Sequence, residues 1–165
     1  MADTGLKEAQ PTVNVAGFNT LLQAAARFGV SRHQMLAALN LEPEWLRHRD
    51  ARLPVVLYFD AFRLAAELGE CKDIGIYAGR INYFNGLTLL LYMSTICRTF
   101  REYLNLVPSI LRMRGDIGQV SIEREGALIR LEWRPQQQES ESERFLSDEI
   151  LSCSAAIVNT LCVDP

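Results

Sequence analysis

RINYFNGLTLLLYMSTICRTFREYLNLV, residues 80–107, is the stretch on which our interpretation of the fold rests. Seventeen residues without a charge lie between Arg80 and Arg98. Such a run approaches the length of a membrane-spanning helix, but asparagine, serine and threonine interrupt it. We therefore predict that the stretch is buried at the centre of a soluble domain and that it does not enter a membrane.

Two helices are predicted within this stretch. The Asn-Gly pair at residues 85–86 favours a turn, because both residue types tolerate a positive φ. Leu87–Met93 is apolar on nearly all sides, as in a short helix enclosed by a domain. Ser94 or Thr95 can then cap an amphipathic helix, which we expect to end at Pro108 because proline lacks a backbone N–H.

The sequence before this stretch predicts three helices, an extended link, and then a short helix that Asp73 can cap and that runs through Arg80. Apolar residues at spacings of three and four predict a first helix that ends at Gly29. Ser31, with Gln34 three residues later, is the capping-box signature of a second helix. Residues 50–54 are predicted to be extended because the residue before a proline disfavours the α region, and a third helix follows as far as Leu68.

After Pro108 the hydrophobic period changes from helical to alternating, which is typical of strands. Three strands are predicted, at residues 110–114, 119–124 and 127–133. A two-residue turn at Glu125-Gly126 would place Ile122 opposite Ile129. With a last helix from Ser142, the fold class is predicted as α+β, with about six helices around a three-stranded antiparallel β-meander.

Length and composition fit a single globular domain. The chain has 165 residues, of which 48% are hydrophobic and 22% charged, enough to form a core. Residues 1–15 have no hydrophobic period and are predicted to form a flexible tail, with residues 16–165 as one domain. The absence of an apolar leader and of paired C-x-x-C cysteines predicts a cytoplasmic protein with free thiols.

No motif for catalysis or metal binding is present in the sequence. His33 and His48 are the two histidines, and both lie among polar residues, as surface histidines do. None of the four cysteines has a histidine at metal-ligand spacing. We therefore predict no catalytic residue, no metal site and no cofactor, and we do not expect an enzyme.

Residues 18–40 have the outline of a DNA-binding helix-turn-helix motif. The second helix of the pair opens with Arg32, His33 and Gln34, polar residues that could contact DNA. It becomes apolar after one turn, however, and the net charge of −3 argues against DNA held by the whole surface. A helical hairpin packed on the core is the competing interpretation, and we favour it.

Tyrosine and arginine side chains flank the uncharged stretch. They could line a small-molecule pocket in which arginine fixes a polar or anionic group. A core edge with solvated arginines explains the same pattern equally well. The candidate ligand-binding residues are Arg80, Tyr83, Tyr92 and Arg101.

Five motifs occur in a characteristic order and spacing. They are FNTLLQAAARFGVSRHQMLAALNLEPEWL (18–46), DARLPV (50–55), DIGIYAGR (73–80), NGLTLLLYMST (85–95) and TFREYLNLV (99–107). Together they resemble the N-terminal, arabinose-binding-like sensor domain of AraC/XylS-type transcription regulators. The resemblance extends over about residues 15–161.

The resemblance implies a ligand-sensing domain that binds a small effector and forms a homodimer. In that family, promoter DNA is bound by a C-terminal pair of helix-turn-helix motifs, which is absent from this chain. Effector binding would then shift the population of arrangements of the dimer or of the attached module. The resemblance does not identify the effector as arabinose and assigns no ligand residue.

Overall fold

The computed structural model describes residues 10–48, 50–85, 92–93, 96–136 and 141–161. The helices are α1 (Val15–Ala26), α2 (Arg32–Ala38), α3 (Val55–Leu68), α4 (Ile74–Asn85), α5 (Phe100–Arg114) and α6 (Glu141–Leu161), with a short 3-10 helix at Pro43–Arg47. The strands are β1 (Thr12–Asn14), β2 (Arg52–Pro54), β3 (Gly118–Glu125) and β4 (Leu128–Pro135). The described residues therefore have an α+β fold, as predicted.

The predicted three-stranded meander is wrong. The strands form two separate two-stranded antiparallel sheets, β1 with β2 and β3 with β4. Residues 110–114, expected to be a strand, are the last turns of α5. Thr12–Asn14, which fall within the predicted N-terminal tail, pair with Arg52–Pro54 of the extended link.

Pro108 does not end a helix, because it lies inside α5. Proline in a helix interior removes one backbone hydrogen bond, but the apolar face continues on both sides of it, with Val107 before and Leu111 after. Packing of that continuous face offsets the lost bond. The helix is capped by Thr99, whose hydroxyl accepts a hydrogen bond from the N–H of Glu102 at 3.2 Å.

The β3–β4 hairpin is confirmed, but with a different register. Ile122 pairs with Leu131 rather than with Ile129, and the turn is formed by Gly126 and Ala127. Gly126 has a φ of +62°, a conformation that glycine adopts at little cost. Because the register differs from the prediction by two residues, an even number, the apolar side chains stay on the same face of the hairpin.

Local signals in the first half of the chain predicted the structure well. Gly29 follows α1 with a φ of +79°. The capping box at the start of α2 is present: the Ser31 hydroxyl accepts from the Gln34 N–H, and the Gln34 side chain accepts from the Ser31 N–H at 2.8 Å. The third helix ends at Leu68, as predicted.

Most fully buried side chains form one cluster, which we call the main core. It is built from α1, α3, α4 and the first half of α6, with contributions from α2 and from both small sheets. Its largest wholly enclosed side chains include Phe18, Leu21, Met35, Tyr58, Phe62 and Leu146. A Cβ atom at Gly75 or Gly79 would overlap backbone atoms of α6, so the close approach of α4 and α6 requires glycine at both positions.

The stretch at residues 80–107 is not the centre of the fold where it is described. Tyr92 is 62% exposed and Ile96 is 55% exposed. Tyr103 and Leu104 are buried in a smaller satellite cluster. The predicted short helix and its Ser94 or Thr95 cap lie largely outside the described residues.

Helices that could cross a bilayer, long and apolar along their length, do not occur in the described part of the chain.

Candidate functional site

A cavity of about 190 Å³ lies between α5, α6 and β4, beside the end of α4. Its apolar wall includes Leu104, Val107, Ile110, Leu131, Ile150 and Ile157. The wall on α5 consists of residues three and four positions apart, and its part up to Val107 belongs to the helical face that the sequence predicted to be buried. On α6 the small side chains of Cys153 and Ser154 line the cavity, and this leaves space that larger residues would fill.

A buried polar cluster of Arg114, Glu149 and Tyr58 lies at the cavity, where Arg114 forms part of the lining. Arg114 Nη2 donates hydrogen bonds to Glu149 Oε1 at 2.5 Å and to the Tyr58 hydroxyl at 2.7 Å. The Tyr58 hydroxyl donates to Glu149 Oε2 at 3.3 Å. The three side chains come from α5, α6 and α3, so the cluster ties these helices together.

The charges of this cluster balance each other in a site with little water. Glu149 is wholly buried, and the Arg114 side chain is 11% exposed. Burial lowers the pKa of the Arg114 guanidinium, but the adjacent Glu149 carboxylate more than offsets this, so the pKa is raised and Arg114 stays charged. Burial raises the pKa of the Tyr58 hydroxyl far above its usual 10.0, against the opposing charge of Arg114.

Two nitrogens of Arg114 are left without a hydrogen-bond partner among the described residues. Nε and Nη1 are both fully buried. The guanidinium packs against α1, where a Cβ atom on Gly17 would lie 3.1 Å from Nε. A ligand can therefore reach these nitrogens only if the side chain moves.

Other polar groups of the cavity wall are already engaged within the protein. The Tyr83 hydroxyl is 2.7 Å from Thr160 Oγ1. The Ser154 hydroxyl donates to the Ile150 carbonyl at 2.8 Å. The side-chain amide of Asn82 and the Tyr103 hydroxyl, by contrast, have no hydrogen-bond partner in the described part of the chain.

Tyr103 remains a neutral hydrogen-bonding group over a wide pH range. Its side chain is 8% exposed, and burial raises its pKa to about 12. Phe100 stacks on its ring, with ring centroids 5.8 Å apart. The arrangement can bind a compact apolar molecule and offer it a hydrogen bond.

The four predicted ligand-binding residues are not brought together at this cavity. Tyr83 is part of its wall. Arg80, Tyr92 and Arg101 are exposed and are not among the described lining residues. All four residues stay predictions as ligand-binding residues, and substitution of the three exposed ones tests whether a ligand also extends along the surface.

Sequence reasoning missed Arg114, which lies at the centre of the polar cluster. The proline rule ends the helix at Pro108, so the pattern after it predicts a strand that would include Arg114. The signal that could have found it is the stripe of residues three and four apart, which runs from Phe100 past the proline to Leu111 and Arg114. Its partner Glu149 is 35 positions away in the sequence, and no local pattern links the two.

The helix-turn-helix outline at residues 18–40 has the geometry of a hairpin packed on the core. Met35 and Leu36 of α2 are buried, and only the first turn of the helix is polar and exposed. Arg32 Nη2 donates to Asn19 Oδ1 of α1 at 3.2 Å.

Groups of three or more potential metal ligands are absent from the described residues.

The chain matches the model of a known protein family. The model of the N-terminal arabinose-binding domain of AraC transcription regulators matches residues 29–164, which is most of the chain. No curated protein matches it. Domains of the matched family are regulatory, ligand-sensing domains rather than enzymes. The chain therefore belongs to the family of N-terminal arabinose-binding domains of AraC transcription regulators.

Proposed function

We propose that the cavity between α5, α6 and β4 is the effector site of this sensing domain. The observation that carries the proposal is an apolar cavity of about 190 Å³ with a buried, charge-balanced polar cluster in its wall. Apolar pockets with a few fixed polar groups are the usual form of small-molecule sites. Binding there would control a homodimer or an attached DNA-binding module.

The proposed route of the signal begins at α5, which forms one wall of the cavity. Arg114, the last residue of α5, contacts α3 and α6. The next two residues join β1: Gly115 pairs with Val13, and the Asp116 N–H donates to the Thr12 carbonyl at 2.8 Å. An effector that favours one position of α5 would thus shift the balance between two arrangements of these elements.

A homodimer is the second part of the proposal. Large apolar side chains at the surface support it, among them Met113, which is 74% exposed, and Leu128, which is 70% exposed. Sedimentation equilibrium over a range of protein concentrations is expected to show a monomer–dimer equilibrium. A monomer at all concentrations would remove dimerisation from the proposal and leave effector binding untouched.

A thermal-shift screen of sugars, amino acids, small carboxylates and apolar alcohols tests the effector site. We expect at least one compound to raise the melting temperature saturably, corresponding to about 2.7 kcal/mol at a hundredfold excess over Kd. Ser154→Phe should abolish that shift by filling the cavity. Ala155→Phe is the matched control, since it adds the same ring at an exposed neighbouring position of α6.

The same screen tests two of the three exposed candidates, Arg80 and Tyr92. If the effector reaches the surface, Arg80→Ala or Tyr92→Ala should reduce the rise in melting temperature that the compound causes. Neither substitution should lower the melting temperature of the free protein much. A shift that persists in Ser154→Phe would show that the effector binds elsewhere.

A further inference from the structure

We infer that the effector is an uncharged, predominantly apolar molecule about the size of one substituted ring, with one or two hydrogen-bonding groups, rather than a sugar or an organic anion. This inference rests on the proposed function of the cavity as the effector site. It follows from three properties of the described cavity wall: its available hydrogen bonds, its charge balance and its volume.

The supply of hydrogen bonds is too small for a sugar. A pentose carries polar groups on nearly every carbon, and each needs a partner once it leaves water. In the described wall, the Ser154 hydroxyl already donates its proton to the Ile150 carbonyl and the Tyr83 hydroxyl is paired with Thr160, so Asn82 and Tyr103 are the polar groups without a partner. Every unpaired hydroxyl would weaken binding by roughly tenfold to hundredfold.

The charge balance of the wall disfavours an anion. Arg114 is the charged residue of the described lining, and its partner Glu149 already neutralises it. The two unpartnered nitrogens of Arg114 are fully buried and do not face an incoming carboxylate. A second carboxylate would therefore lose its hydration without gaining an unpaired cation.

The volume sets the size of the part of the molecule that the cavity encloses. A cavity of about 150 Å³ lined by aliphatic and aromatic side chains accommodates benzene. The present cavity, at about 190 Å³, has room for a similar ring with a short substituent. That substituent can carry the group that hydrogen-bonds to Tyr103 or Asn82.

A matched pair of probes tests the ligand class on the full chain. Cyclohexylmethanol and cyclohexanecarboxylate have nearly the same shape, but only the second is charged at neutral pH. With L-arabinose as the third probe, Kd values are measured by ligand-observed NMR. We expect saturable binding of cyclohexylmethanol, binding of the carboxylate that is weaker by at least about tenfold, and no saturation with arabinose.

Cavity-filling variants show whether the probes bind in the cavity. Ser154→Phe should abolish binding of cyclohexylmethanol, and Ala155→Phe should leave it unchanged. Val107→Phe fills the cavity from the opposite wall and replaces Ser154→Phe if that variant does not fold, as judged by circular dichroism. Tyr103→Phe should weaken the alcohol severalfold while keeping the ring stack with Phe100.

The possible outcomes distinguish an error in the inferred ligand class from an error in the location of the effector site. If the carboxylate or arabinose binds as tightly as the alcohol and a filling variant abolishes this, the cavity is the effector site but the inferred ligand class is wrong. If cyclohexylmethanol does not bind saturably, the inference is also overturned. If a compound stabilises the wild type and both filling variants equally, the proposed site itself is wrong.

Discussion

Helix α6 runs through two regions that differ in how tightly they are packed. Its first half, with Phe145, Leu146 and Ile150, is buried in the main core, where α4 approaches so closely that only glycine fits. Its second half, from Cys153 to Val158, borders the cavity and is partly exposed. The comparison shows that one helix can stabilise a fold with one half and leave space for a ligand with the other.

The boundary between these regions is Glu149. One turn before it, Phe145 and Leu146 are buried in the main core, and one turn after it the small side chains of Cys153 and Ser154 border the cavity. The buried ion pair therefore lies where the packed region borders the binding region. Changes at buried, cavity-bordering and exposed positions test how far burial and packing determine stability in this domain.

The largest expected effect concerns the boundary itself. Glu149→Ala should lower the free energy of unfolding by about 3–5 kcal/mol, because it leaves the buried Arg114 charge uncompensated. Urea denaturation measures the loss. The double variant Arg114→Met/Glu149→Leu should recover most of it, since apolar side chains replace both charges. A single-variant loss below about 1 kcal/mol would show that water already solvates Arg114.

The same leucine-to-alanine substitution in the main core and at the cavity compares how tightly the two regions are packed. Leu21 is wholly buried in the main core, whereas Leu131 borders the cavity. Leu21→Ala should cost about 2–5 kcal/mol from lost transfer energy and a new void. Leu131→Ala should cost less than about 1.5 kcal/mol, because part of that side chain already borders open space. Equal losses in urea denaturation would contradict the difference in packing.

The pH dependence of the free energy of unfolding tests whether the Cys153 thiol, which borders the cavity, is shielded from water. Burial raises its pKa from the ordinary value of 9.0 to about 11. Between these pH values the thiol ionises only in the unfolded state, so stability is fully present below pH 9.0 and is lost as the pH rises towards 11. The loss approaches roughly 2–3 kcal/mol. In Cys153→Ala this contribution should be absent, and identical pH profiles of the two proteins would show that the thiol is solvated.

The smallest effect is expected on the hairpin. Arg130 and Glu125 form an ion pair at 2.8 Å, but both side chains are largely exposed. Arg130→Ala should change the unfolding free energy by less than about 1 kcal/mol, and salt should reduce that change further. Comparison with Glu149→Ala in the same urea series isolates the effect of burial. A loss of several kcal/mol would mean that the hairpin is held more tightly than its exposure indicates.

The sequence predicted those features that depend on neighbouring residues. The capping box of Ser31 and Gln34 and the positive φ of Gly29 are local, and both are present. The class of the fold and the hairpin strands follow from hydrophobic periodicity, which is also local. The resemblance added the family, which the family match confirms.

What the sequence did not predict depends on distant contacts. The proline rule placed the end of α5 at Pro108, but packing of the apolar face on both sides of it outweighs the lost hydrogen bond. The pairing of Arg114 with Glu149 joins residues far apart in the chain, so spacing carries no signal for it. The uncharged run at residues 81–97 suggested a core, yet Tyr92 and Ile96 within it are exposed.

Pro108 has a mechanical consequence for the cavity. Because proline has no N–H, the carbonyl of Leu104 receives no helical hydrogen bond from it, and α5 is easier to bend there than elsewhere. Leu104 lies in the wall on one side of this joint, and Arg114 lies beyond it, held by Glu149 and Tyr58. The first half of α5 can therefore adjust to bound molecules of different size, while Arg114 at its far end stays hydrogen-bonded to Glu149 and Tyr58.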